Sequence, residues 1–205
     1  MTVASWIAFA LASTVLLLIP GPTVLLVVSY ALTQGRKVAV AVAAGVALGD
    51  FTAMTLSLAG LGAVLLASST LFTALKWIGA AYLIYLGIRL WRAPVSLPST
   101  DAPAGNSRGI FGHAFLVTAL NPKSIAFFVA FVPQFIDHDA ALLPQLAVMD
   151  ATFVGLATVN ALAYALAADR LRLRIRRPGT LKWMNRAGAS CLVGMGAATA
   201  ALGRT

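Results

Sequence analysis

Glutamate is absent from this chain, cysteine occurs once, histidine twice, and only 10% of the 205 residues are charged. Each shortage removes a class of function. A single thiol, Cys191, excludes an internal disulfide and a two-cysteine electron carrier. His113 and His138 are far apart and near connectors, so no Cys/His cluster has metal-ligand spacing. A divalent-metal pathway would want several convergent carboxylates, imidazoles or thiolates, and the hydrophobic segments offer two aspartates. With so little charge and 60% hydrophobic residues, the chain cannot cover itself with a soluble surface.

What is present in quantity is uninterrupted apolar chain. Residues 1–35, 51–75, 151–168 and 187–203 hold no charged side chain. A membrane-crossing helix needs about 20 mostly apolar residues. Six spans are predicted, at about 5–33, 38–66, 71–92, 110–135, 141–167 and 184–203. They use most of the sequence, so residues 1–205 are expected to form a single transmembrane domain. The N-terminal run lacks a preceding Lys or Arg and extends well past a usual signal core, so it is expected to be retained as span 1.

The net charge of +9 is distributed as a topology signal. Arg36 and Lys37 follow span 1, and Arg89, Arg92 and Arg108 flank the connector between spans 3 and 4. Arg170, Arg172, Arg174, Arg176, Arg177, Lys182 and Arg186 crowd the connector between spans 5 and 6. Those 12 of 15 basic residues share one side of the membrane, while the turn between spans 4 and 5 carries Asp137 and Asp139. The positive-inside rule then predicts cytoplasmic basic connectors and both termini outside. The same cations can face anionic lipid headgroups, and the pattern argues against nucleic acid as a partner.

Two short proline motifs and two aspartates recur about 100 residues apart. Pro20-Gly21-Pro22, Asp50 and Lys76-Trp77 in the first half are followed in the same order by Asn121-Pro122-Lys123, Asp150 and Lys182-Trp183. A polar, proline-rich linker at 94–108 separates the halves, giving a first repeat at about 1–93 and a second at about 109–205. Three spans before the linker start the second half on the opposite face. The fold class expected is therefore an all-α polytopic membrane protein built from two inverted three-helix repeats.

Depth turns these motifs into a candidate site. At about 1.5 Å per residue, Pro20, Asp50, Asn121 and Asp150 all fall near the bilayer middle. Proline removes a backbone donor and clashes with the preceding turn, so spans 1 and 4 are expected to be broken helices. A simple kink is the plainer reading of one such motif. Two of them, each followed by an acid on the next span, favour a substrate-binding or translocation role for Pro20, Gly21, Pro22, Asn121, Pro122 and Lys123.

Asp50 and Asp150 each need a partner or a proton, because a bare charge in hydrocarbon costs at least about 2.5 kcal/mol. Lys123 is the one basic residue near that depth and cannot neutralise both. A fixed salt bridge beside a permanently protonated acid is one reading. Proton coupling through the two aspartates is the sharper one, since inward proton movement supplies about 2.3 kcal/mol per charge per 100 mV. Gly45, Gly49, Gly79 and Gly87 are read as close helix packing. Trp77, Tyr82, Tyr85 and Trp91 are read as interfacial anchors or packing residues.

The residues that carry these features resemble the lysine-exporter family of amino-acid translocators. The resemblance lies in Pro20-Gly21-Pro22, in Gly45-Val46-Ala47-Leu48-Gly49-Asp50 and in Lys76-Trp77-Ile78-Gly79-Ala80-Ala81-Tyr82-Leu83. It continues in Leu86-Gly87, Asn121-Pro122-Lys123 and Pro133-Gln134-Phe135; beyond Phe135 it rests on Asp150. It implies an exporter in the bacterial cytoplasmic membrane, driven by proton motive force, with no catalytic residues, metal or other cofactor.

The expected partners are an amino acid, protons and membrane lipid, and a homodimer is compatible with the chain. Lys123 would repel a cationic substrate at low dielectric. A neutral amino acid is therefore favoured over the alternatives of a basic amino acid or a divalent metal, and the family resemblance implies a substrate such as homoserine or threonine. Gly188-Ala189-Ser190 resembles the short serine motif of rhomboid-type intramembrane proteases, with His113 near the same side. No preorganised dyad is apparent for that alternative, and small residues in a packed span explain it better.

Overall fold

The computed structural model describes residues 1–93, 106–137, 139–175 and 178–202. Most of the linker expected at 94–108 lies outside them, as do His138, Arg176 and Arg177. The described residues form eight α-helices joined by turns, with no strand. These are α1 (Val3–Leu18), α2 (Pro22–Gln34), α3 (Ala39–Ala67), α4 (Ser69–Arg92), α5 (Ser107–Ala119), α6 (Pro122–Ala130), α7 (Leu142–Ile175) and α8 (Pro178–Leu202). Short 3-10 turns at Arg36–Val38 and Val132–Phe135 complete the path.

Local chemistry sets the helix ends. Thr2, Ser68 and Asn106 accept from the backbone N–H groups of Ser5, Leu71 and Gly109, the usual side-chain cap of an orphan donor. Pro20 and Pro22 have no N–H to continue α1, whereas Pro22 and Pro122 each fit the first turn of a new helix, where that donor is not needed. The chain consequently bends by 55° between α1 and α2 and by 42° between α5 and α6.

Three helical stretches are long and apolar enough to cross a membrane: Ala39–Val64, Ser69–Arg92 and Leu142–Ala167. Counting each bent pair as one span raises the number to five. The sixth span expected at 184–203 coincides with α8, which falls short because Asn185 and Arg186 open it and Ala and Gly fill much of the rest.

The bent pairs run antiparallel and cross at their breaks. Near its start, α1 places Phe9 against Phe135, just beyond α6 (ring centroids 5.7 Å apart). Near its end, α2 places Tyr30 Oη 2.8 Å from His113 Nδ1 in α5. Around this crossing α3 packs on α5 and α7, α7 packs on α1 and α2, and α4 pairs with α8.

Glycine permits the closest approaches. A Cβ on Gly45 would lie 2.5 Å from the Phe111 carbonyl oxygen, and one on Gly49 would lie 2.8 Å from that of Phe115. Between α4 and α8 the contact is reciprocal: a Cβ on Gly87 would meet the Ala189 oxygen at 2.8 Å, and one on Gly196 the Ala80 oxygen at 2.7 Å.

Candidate functional site

The two proline motifs meet. Asn121 Nδ2 donates to Thr23 Oγ1 at 3.1 Å, and the Thr23 and Thr118 hydroxyls are 3.3 Å apart. Asn121 caps its own helix as well, its Oδ1 accepting from the Lys123 N–H at 3.1 Å. Lys123 then turns back across the first break. Its ammonium donates to the carbonyl oxygens of Leu16 at 3.0 Å and Ile19 at 2.9 Å. Gly21 leaves room for that stem, since a Cβ there would lie 3.3 Å from Lys123 Nζ.

The end of α1 explains this demand for donors. A helix C-terminus leaves its last carbonyls unpaired, and the two prolines beyond it supply no N–H. Side chains from elsewhere fill the gap. Lys123 takes Leu16 and Ile19, Asn160 Nδ2 donates to the Leu17 oxygen at 3.2 Å, and Tyr164 Oη donates to the Leu18 oxygen at 3.3 Å. Four consecutive carbonyls thus accept from side chains of α6 and α7, and the Leu16 oxygen accepts from the Ile19 N–H at 3.2 Å as well. The carbonyls at this break are all engaged in this conformation.

Asp50 is buried, and one carboxylate oxygen, Oδ1, has no hydrogen-bond partner among the described residues. It lines a cavity of about 20 Å³ together with Lys123, Asn121, Thr23, Asn160 and Tyr164. That is room for roughly one water. Lys123 and Asp50 face the same space, but the lysine's hydrogen bonds go to the carbonyls. Asp150 lies outside this lining, on α7 beside Thr55, and its Oδ1 is also unpaired among the described residues. Asp150 and Lys123 both act electrostatically on Asp50.

A wider cavity of about 320 Å³ lies across the breaks. Pro20, Gly21, Pro22, Asn121, Pro122 and Lys123 all contribute to it, and Tyr82, Leu86 and Arg89 of α4 form a further wall. Lys123 and Asn121 border both cavities.

The sequence singles out every proline-motif residue but not Thr23, Thr118, Asn160 and Tyr164, and it marks Tyr82 as an interfacial anchor or packing residue. Asn160, in a stretch without charge, was the available signal. Trp77 and Trp183 of the repeated Lys-Trp pairs are exposed, at 44% and 71%, and take no part. The serine-protease alternative finds no assembly here: Ser190 is exposed, and His113 Nδ1 is engaged by Tyr30. Among the described residues no three His, Cys, Asp or Glu side chains converge as a metal site would require.

Comparison with known proteins gives this arrangement a family. The model of the LysE type translocators matches residues 14–202. A Salmonella typhimurium protein called a homoserine/homoserine lactone efflux protein is 36% identical over 198 residues, covering 96% of each chain. A Vibrio cholerae protein described as an uncharacterized membrane protein is 34% identical over 193 residues, covering 93% of this chain and 94% of its own. No solved structure matches. The resemblance read from the proline, aspartate and glycine motifs therefore holds across nearly the whole sequence, and the chain belongs to the LysE type translocator family.

Proposed function

We propose that this chain exports a neutral, zwitterionic amino acid across the bacterial cytoplasmic membrane in exchange for protons. The observation that carries the reading is the crossing of the two breaks, where Lys123 of one motif is bound to the carbonyls beside the other. Irregular backbone at that depth is tolerated where it lines a cavity, and two cavities adjoin it.

In this reading α1 with α2, α3, α4, α5 with α6, α7 and α8 are six spans, with both termini periplasmic. Inverted repeats are supported by the packing. The α3–α5 contact has its counterpart in the contact of α7 with α1 and α2, and α4 and α8 seat glycines in one another.

The wide cavity is the proposed cytoplasmic access route. Its two cations, Lys123 and Arg89, favour a carboxylate and disfavour a substrate with net positive charge. The homoserine and homoserine lactone efflux of the Salmonella relative supports the same substrate range. Asp50 and Asp150, each with one carboxylate oxygen, Oδ1, unpaired among the described residues, are the proposed proton carriers. Uptake of radiolabelled homoserine and threonine into everted vesicles tests the whole reading. Accumulation is expected with an inside-acid pH gradient and little without it; equal uptake in both would remove the proton coupling, and none in either would remove the substrate class.

A further inference from the structure

We infer that the carbonyl oxygens ending α1 are the subsite for the substrate's ammonium group, and that Lys123 occupies it as a tethered stand-in while no substrate is bound. The inference rests on the amino-acid transport reading and adds to it a ligand class for one group of atoms. A primary α-ammonium and a lysine ammonium present the same chemistry: one positive charge and three N–H donors. The end of α1 suits either, because a helix C-terminus carries negative partial charge as well as unpaired oxygens.

Three features separate a replaceable ligand from a permanent staple. Of the four carbonyls, Leu17 and Leu18 are held by neutral donors of Asn160 and Tyr164, whereas Leu16 and Ile19 are held by one mobile cation. That cation and Ile19 border the wide cavity, so an incoming ammonium has a path to the Ile19 oxygen, with Leu16 reached beyond it in the lining of the narrow cavity. It also borders the narrow cavity with Asp50, whose Oδ1 is unpaired among the described residues, so a displaced Lys123 has a charged partner on the far side.

The exchange conserves charge and hydrogen bonds at the α1 terminus. The substrate ammonium takes the Leu16 and Ile19 oxygens, and the lysine becomes free to meet the substrate carboxylate or Asp50. The empty transporter then keeps its polar backbone satisfied at the membrane midplane, and substrate arrival is signalled to Asp50 through the position of one side chain.

The test uses the purified full chain in nanodiscs and ethylammonium, a primary ammonium without a carboxylate. In the wild type it must compete with a ligand held at the millimolar effective concentration typical of short tethers. Lys123→Ala removes that competitor, so ethylammonium binding measured by calorimetry should tighten by about tenfold or more. Tetraethylammonium, which has no N–H, should bind neither form. Lys123→Met keeps the stem and removes the cation, so it should shift binding in the same direction, which decides the question if Lys123→Ala does not fold. Equal ethylammonium binding in wild type and variants, no binding in any of them, or equal binding of tetraethylammonium would each overturn the inference. Counterflow of radiolabelled amino acid by the wild type, run alongside, reports on the transport reading independently of the ammonium subsite.

Discussion

The two helix breaks each carry a proline at the start of the following helix but solve their backbone problem in different ways. At the second, the oxygens of Leu116 and Thr118 accept from the N–H groups of Leu120 and Asn121, both at 3.0 Å, and Asn121 caps the helix that follows. That break is closed on itself. At the first, the Ile19 N–H still reaches the Leu16 oxygen at 3.2 Å, but prolines at both 20 and 22 leave the Leu17, Leu18 and Ile19 oxygens to side chains of Lys123, Asn160 and Tyr164 from other helices. One extra proline thus converts a local turn into an acceptor site that depends on tertiary partners. Sequence similarity between two repeats can conceal a division of labour, with one break holding geometry and the other offering chemistry.

The largest effect expected on this comparison comes from Asp50, which shares the narrow cavity of the first break. Asp50→Asn keeps hydrogen-bonding capacity and abolishes titration. Export against a concentration gradient should collapse, by about 50-fold in accumulation ratio for each 100 mV no longer coupled. Downhill exchange should persist, and Asp150→Asn, away from that cavity, should do less. Normal uphill export by both variants would make the aspartates structural.

Stability should divide the breaks next. Asn160→Leu leaves the Leu17 oxygen without its donor, at a cost of about 1–3 kcal/mol; a thermal unfolding series in detergent reads this as a lowered midpoint. Asn121→Ala removes the cap on Lys123 N–H and the bond to Thr23, for about 1 kcal/mol, the usual value of a cap. The smallest change belongs to Pro122→Ala, a few tenths of a kcal/mol, because the first helical turn does not need the missing donor and its neighbours already close the break. Pro20→Ala sharpens the contrast by restoring an N–H that can reclaim the Leu16 oxygen and release Lys123. Equal losses from Pro20→Ala and Pro122→Ala would erase the distinction between the breaks.

The breaks were readable in advance because proline acts on its own backbone, and local rules suffice to place a 55° or 42° bend. Gly45 and Gly49 were readable as packing residues for a similar reason, a spacing that puts both on one helix face. Asn160 and Tyr164 were not. Each is a neutral polar residue in a mostly apolar stretch of α7, and its role exists only because α7 lies beside the end of α1. The engagement of Lys123 with backbone instead of a carboxylate was equally hidden, since charge counting sees aspartates and overlooks the partial charge of a helix end. The shortfall of α8 as an apolar span comes from composition alone: alanine and glycine give it close packing against α4 at the expense of hydropathy.

That α4–α8 contact has a mechanical corollary. Gly87 admits the backbone of α8 and Gly196 admits that of α4, so the two helices mesh like a pair of notched bars. A slide of either along the other by less than a full turn would drive a neighbouring side chain into the notch. The pair therefore resists shear and can travel only as one beam. The wall of the wide cavity that Leu86 and Arg89 form is thus a stiff one, and the broken helices face it from the other side.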